Sequence, residues 1–205
     1  VEYMDHTSNT IYVAFKIKKT KTDFLKDANV IIWTTTPWTI PANKALAFNS
    51  NIEYSVLEVE DLEYFKEKKI VVAKNLIEAI TKECEINKYK EIKNIKGSEL
   101  SGTICSHPFL KMNYNYDVPM LDGQFVNLDQ GTGFVHCAPS HGADDFNLCL
   151  KNNIPSLYTV DNAGLYTKEI PHFTGTHIFK ANPIVIEKLK NEKNLLANGK
   201  LNHSY

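Results

Sequence analysis

The residues most able to do chemistry lie close together in one stretch of the chain, 131–146. It contains His136, His141, Asp144 and Asp145, together with small hydroxyl-bearing residues and glycines. Imidazole and carboxylate groups can transfer protons, bind metal ions or hold a substrate cation. No histidine pair lies four residues apart on a predicted helix, and no cysteine spacing completes a tetrahedral set, so a zinc site is disfavoured. A metal-dependent hydrolase that uses His136, His141 and Asp144 stays open as an alternative.

A strand, a polar loop and the start of a helix are predicted to position these side chains. Residues 134–138 predict a short buried strand, and Pro139 ends it because proline cannot donate to a strand ladder. A helix is predicted over 145–151. Asp144 is the candidate cap for the free N–H groups of that helix. The Asp145 carboxylate is then left to hold an ammonium group, or to act as a second acid on the helix dipole.

Both histidines also have ordinary structural interpretations. His136 lies in a strand that is predicted to be buried, where a lone histidine is usually a hydrogen-bonded core residue. His141 stands beside Gly142 in the loop, as a surface histidine would. The residue types alone leave both alternatives open.

Three consecutive threonines, residues 34–36, form the second unusual feature. They end a predicted strand over 28–35 and precede Pro37, and an edge strand would explain them because threonine favours strands. At a strand end, however, three hydroxyls and several backbone amides suit the ribose, phosphate and base edges of a single-stranded nucleotide end. For the flanking Trp33 and Trp38, core packing is favoured over base stacking.

Composition limits the classes of protein that are possible. A chain of 205 residues with 43% hydrophobic residues is typical of one globular domain. A net charge of -1 provides no strong attraction for nucleic acid, so phosphate contacts would be local or made by another part of a larger protein. The four cysteines form no C-x-x-C pair, and we expect them to be reduced in a cytoplasmic protein. No apolar run approaches a membrane span.

Many short strands with a few helices indicate a β-rich α+β domain with a barrel-like core. The βαβ alternation that would indicate a parallel sheet is absent from the sequence pattern. Two hairpins are predicted, one joining strands 45–48 and 54–59, the other joining 118–121 and 125–128 around Asp122-Gly123. The remaining strands are predicted at 9–17, 28–35, 70–73, 89–95, 134–138 and 156–160, and the helices at 61–68, 75–83, 145–151 and 182–191.

Two long motifs carry a resemblance to a known family. Residues 33–43 (WTTTPWTIPAN) resemble the threonine-rich peptide of the editing (CP1) domain inserted in class I aminoacyl-tRNA synthetases for branched aliphatic amino acids. Residues 131–146 (GTGFVHCAPSHGADDF) are similar to the second signature of that domain. His136 and the His141-Gly142 pair match the isoleucyl type better than the valyl or leucyl type. The resemblance covers nearly the whole chain.

This resemblance implies a closed β-barrel core with peripheral helices, and a single editing domain over 1–205, of which 1–20 and 192–205 would be edge or linker segments. It implies hydrolysis of mischarged Val-tRNA(Ile), with valyl-adenylate as a second candidate substrate, by a double sieve that admits valine and refuses isoleucine. No cofactor or metal is implied for editing, although the parent synthetase uses ATP and Mg. The implied partners are the 3′-aminoacyl end of tRNA(Ile) and the remainder of the synthetase. We also expect no membrane partner and a monomeric state.

The resemblance also implies roles for individual residues. Asp145 would hold the α-ammonium group of the amino acid, and His136 would block larger side chains and help to position water. With no evident general base, the water would be oriented by the site and by the free ribose hydroxyl of the substrate. A non-catalytic module that binds aminoacyl-nucleotides is the alternative. The implied substrate-binding residues are Thr34, Thr35, Thr36, Trp38, Thr39, Asn43 and His141.

Overall fold

The computed structural model describes residues 5–204, with side chains from 9 to 199. This part of the chain contains ten strands and three α-helices. This is the β-rich α+β architecture that the sequence predicts. The strands are β1 (Asp5–Lys19), β2 (Asn29–Thr34), β3 (Ala45–Phe48), β4 (Glu53–Val59), β5 (Lys69–Ala73), β6 (Tyr89–Lys96), β7 (Ile104–Ser106), β8 (Asp117–Asp122), β9 (Val135–Cys137) and β10 (Leu195–Ser204). The helices are α1 (Ile77–Glu83), α2 (Ala143–Lys151) and α3 (Ala181–Asn191).

One hydrogen-bonded sheet contains all ten strands, in the order β6-β4-β5-β2-β1-β7-β8-β3-β9, with β10 paired to β1. The β2–β5 and β3–β8 pairs are parallel and the others antiparallel, so the sheet is mixed. Strands β1 and β10, which lie in the terminal segments, pair with each other over the register Asp5–Ser204 to Val13–Leu195. The path of the sheet has two ends, β6 and β9, so the predicted closed barrel is not confirmed.

Single contacts, not a strand ladder, connect the segment before β9 to the other end of the sheet. Thr132 is buried, and its hydroxyl donates to the Ile31 carbonyl at 2.5 Å while its own carbonyl accepts from Ala73 N at 2.8 Å. The Tyr54 hydroxyl donates to the Gly133 carbonyl at 2.6 Å. Gly133 has a φ of 86°, a left-handed conformation that keeps this segment out of extended strand geometry.

Side chains are buried on both faces of the central strands, because successive residues of a strand point in opposite directions. In β1, Val13 and Phe15 belong to the main core, whereas Ala14 packs into a second core under α1. A third, smaller cluster seats α2 against β3 and β9. It contains Ala45, Ala47, Val126, Cys137, Leu148 and Cys149. All four cysteines of the chain are free and buried.

Both predicted hairpins are wrong. Strand β3 pairs with β8 and β9, and β4 pairs with β5 and β6, so the segments joined by residues 49–51 belong to different parts of the sheet. The Asp122-Gly123 pair contacts this same connection. Gly123 N donates to the Phe48 carbonyl at 2.7 Å, and the Asp122 carboxylate accepts from Ser50 N at 3.0 Å. These turn residues therefore bond to β3 and its loop, and 125–128 forms no strand.

Two further predicted elements are also wrong. Residues 61–68 form turns and not a helix, because Phe65 is fully buried in the second core and its carbonyl accepts from Leu62 N at 2.9 Å in a β-bridge. Residues 156–160 contain only an isolated bridge at Val160. For residues 61–68, the burial of Phe65 in the second core overrides the local pattern.

The three remaining predicted helices are confirmed as α1, α2 and α3 with small shifts of their ends. Val185 and Leu189 of α3 are buried, whereas Ile184 is 39% exposed. Helix α3 begins at Ala181, so Asn182 lies in its first turn. Within the described residues, no helix has both the length and the apolarity needed to span a membrane.

Candidate active site

A cavity of about 150 Å³ lies where the end of β2, the 3₁₀ helix Pro37–Ala42, β9 and the start of α2 meet. Cavities that bind drug-sized ligands commonly measure about 300–1,000 Å³, so this one suits a group the size of an amino acid. It joins both unusual stretches of the sequence at a single place. Its lining residues are Trp33, Thr34, Thr36, Thr39, Val135, His136, Ala138, His141 and Asp145.

The threonines form one hydrogen-bonded segment on the β2 side of the cavity. Thr36 N donates to the Thr34 hydroxyl at 3.1 Å, and the hydroxyls of Thr34 and Thr36 lie 3.2 Å apart. Thr39 donates to the Thr36 carbonyl twice, from its backbone N at 3.0 Å and from its hydroxyl at 2.9 Å. Residues Pro37–Ala42 therefore form a 3₁₀ turn, and the hydrogen bonds fix the positions of the threonine hydroxyls.

His136 forms the opposite wall, and both of its ring nitrogens are engaged. Its Nε2 lies 2.8 Å from the Thr39 hydroxyl, and its Nδ1 lies 3.0 Å from Nδ2 of Asn43. Because the amide nitrogen of Asn43 can only donate, Nδ1 accepts and Nε2 carries the proton. Since the Thr39 hydroxyl donates to Thr36, it accepts this proton, so a chain of hydrogen bonds runs from His136 to the backbone.

The protonation state of His136 follows from this arrangement. Burial, with a smaller contribution from His141, lowers the pKa of His136 to about 4, so the ring is neutral at physiological pH. Its Nε2–H is a donor and its Nδ1 is occupied, which leaves no free lone pair to take a proton from water. His136 can shape the cavity and donate a hydrogen bond, but it is not arranged as a general base.

Asp145 brings a carboxylate to the remaining side of the cavity. Its Oδ2 accepts from Ala138 N at 3.0 Å, which ties the first turn of α2 to the end of β9. Burial is the main cause that raises the pKa of Asp145, and the Ala138 hydrogen bond acts in the opposite direction. The side chain is half-buried, so its other oxygen can meet a ligand.

The predicted capping role of Asp144 is wrong. The helix begins two residues earlier than expected for such a cap, its N-cap residue is Gly142, and Asp144 lies exposed in the first turn. A Cβ at Gly142 would come within 3.0 Å of the Asp145 carboxylate carbon, so this position is filled by the side chain of Asp145.

The other predicted residues lie at three different depths. His141 lines the cavity, its Nε2 lies 2.8 Å from the Thr159 hydroxyl, and its ring is 4.8 Å from that of Trp38. Trp38 and Asn43 stand behind the wall and support His141 and His136. Thr35 lines a neighbouring cavity of about 280 Å³, together with Trp33 and Thr34.

Several wall and support residues were not predicted as site residues. Ala138 contributes a backbone N–H, so its residue type gives no signal. Val135 is an ordinary strand residue, and for Trp33 the sequence favours core packing. Thr159 is 18 positions from His141, a separation at which no local pattern operates. The one sequence signal for Trp33 and Val135 is that they directly precede the predicted site residues Thr34 and His136.

The metal ligand set proposed as an alternative is not assembled. His136 is buried with both ring nitrogens hydrogen-bonded, whereas Asp144 is exposed. Across the part of the chain that the structure describes, no group of three or more histidine, cysteine, aspartate and glutamate side chains is placed to hold a metal ion. The geometry therefore does not favour a metal-dependent hydrolase.

Known proteins are similar to this chain in sequence and in fold. The family model of the leucyl-tRNA synthetase editing domain matches residues 7–193. Over its full 205 residues the chain is 63% identical to an isoleucine–tRNA ligase of Pelagibacter ubique, and over a 222-residue alignment it is 40% identical to that of Gluconobacter oxydans. It spans 23% of the length of each of these relatives.

Solved structures of low sequence identity share the fold. The editing domain of the P. falciparum cytosolic leucyl-tRNA synthetase is 11% identical with a TM-score of 0.68, over 93% of this chain and 98% of that one. The P. knowlesi editing domain is 12% identical with a TM-score of 0.65, over 94% and 96% of the two chains. With a family match over most of its length and isoleucine–tRNA ligases among its relatives, the chain belongs to the CP1 editing-domain family of the aminoacyl-tRNA synthetases, in its isoleucyl branch.

Proposed function

We propose that this domain hydrolyses the ester that links valine to the 3′-terminal adenosine of tRNA(Ile), with valyl-adenylate as a second substrate. The observation that carries the proposal is the anchored Asp145 carboxylate, which faces the Thr39–His136 wall across a cavity of amino-acid size. The isoleucine–tRNA ligases among the relatives of the chain support the choice of tRNA. The remainder of a synthetase would deliver the tRNA end, and its ATP and Mg would serve aminoacylation only.

In this proposal Asp145 binds the α-ammonium group of the amino acid. Its Oδ2 is fixed by Ala138 N at 3.0 Å, which leaves the other carboxylate oxygen for the ligand. An ammonium group beside the carboxylate would lower the pKa of Asp145, against the effect of burial. Thr34 and Thr36 would bind the ribose and the ester region, and Thr35 the adjoining nucleotide surface at the second cavity.

The size limit would be set by Thr39 and His136. One methylene is worth only about 1–3 kcal/mol in a hydrophobic pocket, a general figure for which isoleucyl-tRNA synthetases are the familiar example. Attraction alone therefore separates valine from isoleucine poorly, whereas a wall that cannot move excludes the larger side chain. Both wall residues are buried and hydrogen-bonded to each other at 2.8 Å, which restricts their movement.

Water would carry out the chemical step without a side-chain base. Its oxygen attacks the ester carbonyl carbon, the bond to the ribose oxygen breaks, and a proton is transferred to that oxygen, giving free valine and the tRNA 3′ hydroxyl. The neighbouring ribose hydroxyl of the substrate would orient the water, since the lone pairs of His136 are not available.

The test compares hydrolysis of Val-tRNA(Ile) and Ile-tRNA(Ile) by the wild-type chain, D145A and D145N. The wild type should cleave only the valyl ester, and D145A should cleave neither. D145A should remain folded, with a lower unfolding temperature because Ala138 N loses its acceptor. D145N can still accept from Ala138 N but lacks the charge, so loss of a charged hydrogen bond of about 1.5–3 kcal/mol should slow it about tenfold or more. Full activity in folded D145A would exclude this role for Asp145.

Two further measurements separate the alternatives. Activity that survives exhaustive treatment with a chelator would exclude the metal-dependent hydrolase, and loss that zinc restores would support it. Binding of a non-hydrolysable valyl-adenosine analogue without cleavage of the ester would favour the aminoacyl-nucleotide binding module.

A further inference from the structure

Trp38 is the residue of the 3₁₀ helix Pro37–Ala42 whose two backbone groups both lack a helical partner. Its N–H belongs to the first turn, where no preceding carbonyl of the helix is available. Its carbonyl would pair with the N–H of residue 41, but that residue is Pro41, which has none. A buried backbone group without a partner destabilises the fold, so both groups need an external one.

Two side chains from the last quarter of the described chain fill these places. Asn182 Oδ1 accepts from Trp38 N at 3.0 Å, and the Tyr166 hydroxyl donates to the Trp38 carbonyl. Asn182 lies in the first turn of α3 without capping it, and its acceptor points out of the helix. Tyr166 is only 1% exposed, so its hydroxyl is held in a buried position.

Neither side chain lines the site cavity, but Trp38 is connected to two residues that do. Thr39 follows it directly and bonds to His136 at 2.8 Å. The Trp38 ring packs edge-on against the His141 ring, with the ring centroids 4.8 Å apart. A shift of the Trp38 peptide groups would therefore move the wall on both sides of the cavity.

We infer that Asn182 and Tyr166 are positioning residues that hold the Trp38 peptide groups and so keep the cavity wall rigid enough to refuse isoleucine. The inference rests on the proposed editing function. It assigns discrimination between substrates, in part, to two side chains that do not touch the substrate.

The variants N182A, N182D and Y166F test this inference. Alanine favours helices, so N182A removes the acceptor without weakening α3, and N182D keeps an acceptor oxygen and serves as the matched control. Two readouts apply to each variant. The first is hydrogen exchange of the Trp38 amide. The second is the ratio of affinities for non-hydrolysable valyl- and isoleucyl-adenosine analogues, measured beside the ratio of hydrolysis rates.

Loss of one hydrogen bond of about 0.5–1.5 kcal/mol predicts exchange that is faster by up to about tenfold in N182A. The preference for the valyl analogue should fall by a similar factor in N182A and Y166F and stay within about twofold of wild type in N182D. Faster exchange with an unchanged preference would overturn the inference, as would unchanged exchange in N182A. A wild type that binds the valyl analogue selectively but hydrolyses neither ester would instead contradict the proposed hydrolysis.

Discussion

The amide nitrogen of Asn43 lies 3.0 Å from Nδ1 of His136 and 2.9 Å from the carbonyl oxygen of Ala45. A carbonyl oxygen can only accept, so it fixes which end of the amide faces it, and the same NH₂ group then donates to the imidazole. One fully buried asparagine thereby sets the tautomer of the histidine in the cavity wall. The Oδ1 atom of Asn43 is buried and has no hydrogen-bond partner among the described residues, so this arrangement is kept at some cost in stability.

Replacing the hydrogen-bond donor of Asn43 by an acceptor should make His136 easier to protonate. In N43D an acceptor would face Nδ1 and favour a protonated ring, so the pKa of His136 should rise from about 4 by about 1–3 units. NMR titration of the imidazole signals of N43D and the wild type, recorded side by side, measures this value. An unchanged titration of His136 would show that Asn43 does not control its proton.

Shortening the wall should relax the size limit. T39A removes both the hydroxyl and the methyl group of a residue that lines the cavity, so Ile-tRNA(Ile) should become a substrate. T39V is the matched variant, because it keeps the volume but leaves Nε2–H of His136 without its acceptor.

T39V should therefore still refuse the isoleucyl ester while losing about 1–3 kcal/mol of unfolding free energy for the buried donor. Rates on both aminoacyl-tRNAs and urea denaturation measure the two effects. If T39A still does not hydrolyse the isoleucyl ester, Thr39 does not set the size limit.

Acid should destabilise the fold through two buried histidines. Burial lowers the pKa of His136 to about 4 and that of His107 to about 3, from 6.5. Their folded-state pKa values are depressed, so the unfolded chain binds more protons. The stability they contribute is complete above pH 6.5 and is lost as the pH falls through the folded values. Each should cost about 1.4 kcal/mol per pH unit within this window.

Asp145 acts in the opposite direction, since its raised pKa favours protonation in the folded state. Urea denaturation between pH 7.5 and 4.5 should show the falling free energy of unfolding. In H136Q the free energy of unfolding should fall less steeply with pH, by about 1.4 kcal/mol per pH unit, which corresponds to one proton. An equal slope in H136Q and the wild type would mean that His136 does not resist protonation.

Local sequence was enough to find most of the site but not its supports. The threonine segment and residues 131–146 are each continuous in sequence, and folding brings Thr39, His136 and Asp145 to one cavity. Thr159, Tyr166 and Asn182 act through contacts with distant residues. Asn182 shows the limit well, because asparagine before proline indicates a helix start, and the bond to Trp38 lies 144 positions away.

The sequence predicts an element correctly where the residues within that element determine its structure. Alternation in β1 and the apolar spacing of α1 and α3 identified these elements. Pairing was not predictable at residues 49–51, because β4 bonds to β5 and β6 and the Asp122-Gly123 pair bonds to the loop after β3. A tight-turn signature names the turn but not the strand that it meets.

The pairing of β1 with β10 makes the order of folding matter for this domain. Asp5 meets Ser204, and the two bonds to Trp38 span 128 and 144 positions, so each closes a very long loop. Such closures must overcome their entropy before their contacts stabilise anything, which places them late in folding. The candidate site cavity thus acquires its final shape only after the distant halves of the chain have met.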